Sequence, residues 1–211
     1  MSKKIFIDGG CSFTYGSELK HRHNSWSYRL HSQLGTPSFV STAKPGSSNS
    51  GIARRVFQEV SKHDAKDIEC VAVMWTFYTR YDWAMHEHED LDDKRWTSIT
   101  PWDTNISNNE RHMGLVGSEV EQEKWKKREE LMRDTGVRSF ADAIYRHASN
   151  PYHEIYLSWK SIIWLQNILE KRKIPFIFTL ADNSLFYDNL EQHKDKDKLM
   201  QALHKEINFG N

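Results

Sequence analysis

Residues 4–16 read KIFIDGGCSFTYG, and they give the clearest indication of the fold class. The apolar residues between Lys4 and Asp8 predict a short strand, which runs directly into a turn containing Gly9 and Gly10. In an open α/β sheet, ligands bind at the carboxyl ends of the strands. The turn after this first strand is therefore both the start of the fold and the first place to expect a functional site.

The rest of the chain alternates predicted helices and strands on either side of a polar middle. A helix from Ser25 to about Leu34 has a serine at its N-cap and Gly35 at its C-terminal end. Further helices are predicted from near Ile52, from Pro151 and over residues 190–207, and further strands over residues 39–40, 68–75 and 174–180. Because alternating strands and helices form mostly parallel sheets with helices on both faces, we predict one α/β domain over residues 1–211.

The polar middle, residues 81–150, shows little consistent periodicity apart from one predicted helix over residues 120–132. A segment of this length inside one domain is usually functional or mobile. We interpret it as an insertion that forms a lid or a partner surface. Its tryptophans, with Trp75 before it, predict either a stacking wall for sugar rings or bases, or part of the core.

Composition excludes several classes of function. Lys and Arg together number 29, as do Asp and Glu, so no overall positive field draws nucleic acid or anionic lipid. No apolar run reaches the roughly 18–20 residues of a membrane helix, and Asp8 comes too soon for a signal peptide. Cys11 and Cys70 predict neither a disulfide framework nor a metal site. We expect a cytoplasmic, phage-encoded or virion-associated protein without cofactor, nucleic-acid or membrane partner, and the oligomeric state is left open.

Two glycine turns contain the candidate site residues. Ser12, just past the first strand, would present its hydroxyl at the sheet edge beside backbone N–H groups, which suits a nucleophile. The alternative is a glycine-rich turn in which Ser12 caps a helix. In the second turn, Gly46 offers a backbone donor and Asn49 a side-chain donor, whereas the alternative is a solvent loop with Ser50 capping the next helix.

These residues resemble a known family, the SGNH (GDSL-type) hydrolases. Residues 10–16 are similar to that family's first block in its Gly-x-Ser-Phe-Thr-x-Gly form, and residues 44–49 are similar to the second block. The segment from Trp75 to Arg80 resembles the third-block region of phage and environmental members. The order of strands and helices also fits the family's three-layer, flavodoxin-like layout.

The resemblance implies a serine esterase that acts on a small-molecule, carbohydrate or lipid ester and needs no cofactor. Ser12 would attack the acyl carbon, while the N–H groups of Ser12 and Gly46 and the side chain of Asn49 would hold the oxyanion. A histidine oriented by an aspartate would accept the serine proton. Apart from the resemblance, Arg80 lies just past the third strand, where it could face the pocket and hold an anionic group of the substrate; the alternative is a surface ion pair.

The sequence departs from the family pattern at three places. Cys11 stands where the first block usually has aspartate, and residues 75–78 lack the usual asparagine of the third block. No histidine has an aspartate three residues before it. Either the base lies beyond Asn211, or the protein is an inactive relative that binds without turnover, such as a virion component. His193 and His204 are interpreted as part of a solvated helix face.

Three other interpretations have less support. His86 and His88 alternate with acidic residues, but a solvated acidic loop is more typical of this pattern than a metal site. Cys11 is a second possible nucleophile, although a small buried thiol is expected at a strand end. A nucleotide-binding domain would use Gly9 and Gly10, but the Gly-x-Gly-x-x-Gly spacing is absent.

Overall fold

Four parallel strands form the central sheet of the computed structural model, which describes residues 4–104, 119–186 and 197–210. The strands along the chain are β1 (Ile5–Gly9), β2 (Ser38–Ser41), β3 (Ile68–Trp75), β4 (Tyr81–Ala84), β5 (Trp96–Ile99) and β6 (Phe176–Leu180). The order in the sheet is β2-β1-β3-β6, and β4 pairs with β5 in a separate antiparallel hairpin. The predicted α/β class with a mostly parallel sheet is confirmed.

Seven α-helices connect and cover these strands within the described residues. They are α1 (Ser12–Tyr15), α2 (Trp26–Leu34), α3 (Asn49–Val60), α4 (Glu119–Asp134), α5 (Val137–His147), α6 (Pro151–Lys171) and α7 (Lys198–Glu206). The predicted ends of α2 are confirmed, because Ser25 accepts a hydrogen bond from the N–H of Tyr28 and Gly35 has the left-handed φ of 66°. The alternative interpretation of the second turn, in which Ser50 caps α3, is wrong. Ser48 caps this helix through the N–H of Gly51, three residues on, and Ser50 lies inside the first turn.

Alternate side chains of β1 face different helices. Ile7 belongs to the main core, to which α3 and α6 contribute Ile52, Val56, Ile155, Trp159 and Ile162. Phe6 lies in a smaller cluster with Cys70 and Ala72, against Trp26 and Leu30 of α2. Because successive residues of a strand point to opposite faces, helices cover both faces of the sheet.

The polar middle of the chain is folded in its described parts. The β4–β5 hairpin, α4 and α5 share a small apolar cluster made of Tyr81, Ile99, Met132, Val137, Ala141 and Ile144. The helix predicted over residues 120–132 is confirmed as part of α4. Of the tryptophans, Trp75 is buried in the main core, whereas Trp83 and Trp102 are exposed.

The last described segment closes one edge of the sheet. The N–H of Phe178 in β6 donates to the carbonyl of Phe209 at 2.7 Å. The helix predicted over residues 190–207 is confirmed in its described part as α7, Lys198–Glu206. Residues 190–196 lie outside the described ranges. Within the described ranges, no helix combines the length and the apolar character needed to cross a membrane.

Candidate active site

Ser12 is the first residue of α1, immediately beyond the turn that follows β1. Its side chain is half-buried and lines a surface cavity of about 170 Å³ with Phe13, Gly16, Ser17, Glu18 and Leu19. No described residue forms a hydrogen bond with its hydroxyl. Within the described ranges, Ser12 thus lines a space where a small group fits, and its hydroxyl has no protein partner.

The two glycines before Ser12 are required by close packing. A Cβ at Gly9 would lie 2.3 Å from Cγ2 of Val56 in α3. A Cβ at Gly10 would lie 2.1 Å from Oγ1 of Thr14. That Thr14 oxygen is held in place by the indole N–H of Trp26 at 3.2 Å. A side chain at either position would displace α3 or α1, so the turn that presents Ser12 depends on both glycines.

The structure brings the two glycine turns together. The N–H of Lys44 donates to the carbonyl of Gly10 at 3.1 Å, and the N–H of Thr42 donates to the carbonyl of Asp8 at 3.0 Å. Gly46 follows in the left-handed region, with φ of 76°, which favours glycine. Hydrogen bonds between β1 and the segment after β2 thus continue past the end of the sheet into the turns that contain Ser12 and Gly46.

Asn49 is buried and its amide is fully engaged. The Nδ2 group donates to the carbonyl of Thr76 and to Oγ of Ser158, both at 3.0 Å. The Oδ1 atom accepts from the N–H of Thr76 at 2.8 Å. Asn49 thereby joins the start of α3 to the end of β3 and to α6. A role as oxyanion donor would require it to give up one of these bonds, and that role stays a prediction.

Arg80 lies at a second cavity, of about 280 Å³, which shares no lining residue with the cavity at Ser12. Its Nη1 group donates to the carbonyl of Ser47 at 3.2 Å and to Oγ1 of Thr76 at 3.1 Å. Its guanidinium lies 4.9 Å from the centre of the Phe77 ring. The structure therefore places Arg80 and Ser12 in separate cavities.

The other candidate residues are one cysteine, two histidines and the side chains that could bind a metal ion. Cys11 is completely buried, in agreement with a small buried thiol at the strand end. His204 is half-buried and its ring lies 5.4 Å from that of Trp159, so this residue packs on a core side chain and is only partly solvated, and His193 lies outside the described residues. In the ranges that the structure describes, no group of three or more His, Cys, Asp or Glu side chains is arranged to hold a metal ion.

Sequence reasoning missed Asp8, which is buried at the carboxyl end of β1 with only 1% of its surface exposed. Its Oδ2 accepts the hydroxyl hydrogen of Ser27 at 2.5 Å, and its Oδ1 has no partner among the described residues. Burial raises the pKa of Asp8 to about 6, and the bond from Ser27 only partly offsets this. An acidic residue within an otherwise apolar strand was the available signal.

Asp8 is expected to make stability depend on pH. Its folded-state pKa is about 6 and its ordinary value is 3.8, so the folded protein binds this proton more tightly. The stability contributed by Asp8 is fully present below about pH 4 and is lost as the pH rises through about 6. With about 1.4 kcal/mol for each tenfold change in proton affinity, the total loss is about 3 kcal/mol, and most of it falls between pH 4 and pH 7.

Chemical unfolding of Asp8→Asn and the wild type at several pH values measures this loss. The difference in unfolding free energy should move in favour of the variant by on the order of 2 kcal/mol between pH 4 and pH 7. Asp64→Asn is the matched control, because the Asp64 side chain is 75% exposed. A difference for Asp8→Asn that is constant over this range would contradict the prediction.

A scan against models of protein families and a search of curated proteins both found no match. The fold and the site define an α/β protein with a parallel sheet and a serine at the carboxyl end of a central strand whose hydroxyl has no partner in the part of the chain that the structure describes.

Proposed function

We propose that the protein is an SGNH-type serine esterase in which Ser12 attacks the acyl carbon of an ester on a small molecule, a carbohydrate or a lipid. The observation that carries the proposal is the half-buried Ser12 hydroxyl, which lies at a cavity just beyond β1 and has no hydrogen-bond partner among the described residues. A hydroxyl in this position can approach an ester without first breaking a hydrogen bond within the protein.

The strand order supports the proposal. The order β2-β1-β3-β6 is that of an open sheet whose connections leave β1 and β3 in opposite directions. Crevices at such a switch point are where ligands bind in flavodoxin-like sheets. Ser12 follows β1 and Thr76 follows β3, so both turns lie at this edge. A flavodoxin-like, SGNH-type assignment accounts for the position of Ser12.

Backbone donors are available for the oxyanion. No described residue accepts a hydrogen bond from the N–H of Ser12 or of Gly46. We propose that these two groups stabilise the negative charge that develops on the carbonyl oxygen as Ser12 attacks. One such donor typically contributes about 2.7–4 kcal/mol of transition-state stabilisation. Ser12 also needs a base, because a serine hydroxyl is a weak nucleophile at its ordinary pKa.

A second function, binding without turnover, is favoured by two observations. No described histidine or carboxylate forms a hydrogen bond with the Ser12 hydroxyl. Both amide hydrogens of Asn49, the proposed third oxyanion donor, are donated to Thr76 and Ser158. A hydrolase fold that keeps the pocket but lacks the base would serve as a binding protein or a virion component.

Labelling with a fluorophosphonate probe distinguishes the two functions. For an esterase, the wild type is labelled covalently and Ser12→Ala is not, because the probe reacts only with an activated serine. Ser17→Ala is the matched control, since Ser17 lines the same cavity, and it should be labelled like the wild type. Intact mass spectrometry of the three proteins gives the result.

Two outcomes would refute the esterase proposal. In the first, the wild type is not labelled, which favours the binding protein. In the second, Ser12→Ala is labelled as fully as the wild type, which places the reactive group elsewhere. Circular dichroism of each variant shows whether it is folded under the labelling conditions.

A further inference from the structure

The cavity at Arg80 has the features of a separate ligand site. It lies where the first turn of α3, strand β4 and the first three turns of α6 meet, and its volume is about 280 Å³. This size is near the lower end of the range for small-molecule sites. The cavity at Arg80 and the cavity at Ser12 share no lining residue, so they are two separate sites.

Arg80 presents an unused hydrogen-bonding edge. Its Nη1 group is fixed by Ser47 and Thr76, whereas no described residue accepts from its Nε or Nη2 groups. In Arg54 the corresponding edge of the guanidinium binds a carboxylate. Its Nε and Nη2 groups donate to the two carboxylate oxygens of Asp82, at 2.8 and 3.3 Å. The same edge of Arg80 is held in place, and no carboxylate of a described residue binds it.

The other charged groups leave the cavity with excess positive charge. Asp82 lines it but is neutralised by Arg54. Lys160 also lines it and forms no ion pair with any described residue. Glu154 is the opposing charge; it is 2% exposed, and its Oε1 accepts from the hydroxyls of Tyr81 and Ser149, both at 2.7 Å. Arg80 and Lys160 together outweigh Glu154, so the cavity favours an anion.

Part of the wall is apolar. Leu157 lines the cavity from α6, and Trp83 lines it from β4 with 47% of its surface exposed. An apolar body would be partly removed from water against these two side chains. A bare inorganic anion would not use this part of the wall.

We propose that this cavity binds a small organic carboxylate with an apolar body. The carboxylate accepts two hydrogen bonds from the Nε and Nη2 groups of Arg80, Lys160 adds a second positive charge, and the apolar body packs against Leu157 and Trp83. The site is independent of the proposed esterase activity, because it requires nothing of Ser12.

Isothermal titration calorimetry of the full chain with benzoate tests the proposal, with benzamide as the neutral analogue and inorganic phosphate as the anion without an apolar body. Wild-type protein should bind benzoate, and should bind benzamide and phosphate at least about tenfold more weakly, as expected for loss of a charged hydrogen-bonded contact. Arg80→Ala should weaken benzoate binding by a similar factor. Arg95→Ala, at an exposed arginine outside the cavity, should bind like the wild type.

Two further variants separate binding from folding. Lys160 is exposed, so Lys160→Glu should fold normally and bind benzoate several-fold more weakly. Glu154→Gln removes the opposing negative charge and should bind benzoate more tightly than the wild type. A purely structural role of the cavity residues would not produce effects of opposite sign in these two variants.

Three results would overturn the proposal. The first is that the wild type fails to bind benzoate at millimolar concentrations. The second is that phosphate or benzamide binds as tightly as benzoate, which removes the assignment to an apolar carboxylate. The third is that Lys160→Glu leaves the affinity unchanged or Glu154→Gln lowers it. None of these results depends on whether Ser12 reacts with a fluorophosphonate.

Discussion

Replacing Trp159 with alanine is expected to lower the free energy of unfolding by about 3–5 kcal/mol, the usual cost of removing a large aromatic side chain from a core. Trp159 is a residue of α6, has no exposed surface and lies in the main core. Its ring stacks on that of Phe186, with centroids 5.6 Å apart, and its indole N–H donates to the carbonyl of Leu185 at 3.1 Å. The variant loses apolar burial and leaves that carbonyl without its donor.

Denaturant unfolding followed by circular dichroism measures this effect, and the melting temperature should fall by about 10 °C for a chain of this length. Trp164→Ala is the matched control in the same helix. Trp164 is 43% exposed and meets only the ring of Phe57 among the aromatic contacts described, so it should lose about 1 kcal/mol or less. Equal losses in the two variants would contradict the placement of Trp159 in the core.

Replacing Asn49 with alanine is expected to lower the free energy of unfolding by about 3 kcal/mol. The change removes three hydrogen bonds and leaves buried polar atoms of Thr76 and Ser158 without a partner. A buried polar group that loses its partner costs about 1–3 kcal/mol. The expected effect is large because one side chain joins α3, β3 and α6.

Asn150→Ala is the matched control for this prediction. Asn150 also stands at the start of a helix, where its side chain caps α6 through the N–H of Tyr152 at 2.9 Å, but it is exposed. Loss of a cap costs about 1 kcal/mol. Denaturant unfolding of both variants gives the comparison. If Asn49→Ala destabilises no more than Asn150→Ala, the three hydrogen bonds do not contribute as the structure implies.

Much of the secondary structure could be predicted from local patterns. The caps at Ser25 and Gly35 bound α2, and the continuous apolar run of residues 68–75 is strand β3. The first turn of α6 begins at Pro151, where proline is tolerated. These features depend on neighbours within a few residues, so the sequence signal is nearly complete for them.

The β4–β5 hairpin and α5 were not predicted. Each strand of the hairpin has only four residues, too few to establish a period against a polar background. The helix α5 starts at Val137 after a glycine without a side-chain cap, so its start lacks the usual signal. Its apolar side chains are buried in the cluster that they share with Tyr81 and Ile99. The local sequence does not specify these distant contacts.

The alternation of strands and helices and the position of Ser12 just after the first strand could be predicted from the amino-acid sequence, because both follow from patterns within one element and its turn. The tertiary packing, and not the local sequence, determines that Asn49 bonds to Thr76, 27 residues away, and to Ser158, 109 residues away. It also determines that Arg80 lies at a different cavity from Ser12. Contacts between distant residues depend on how the helices and strands pack against one another, and the local periodicity of the sequence does not specify that packing.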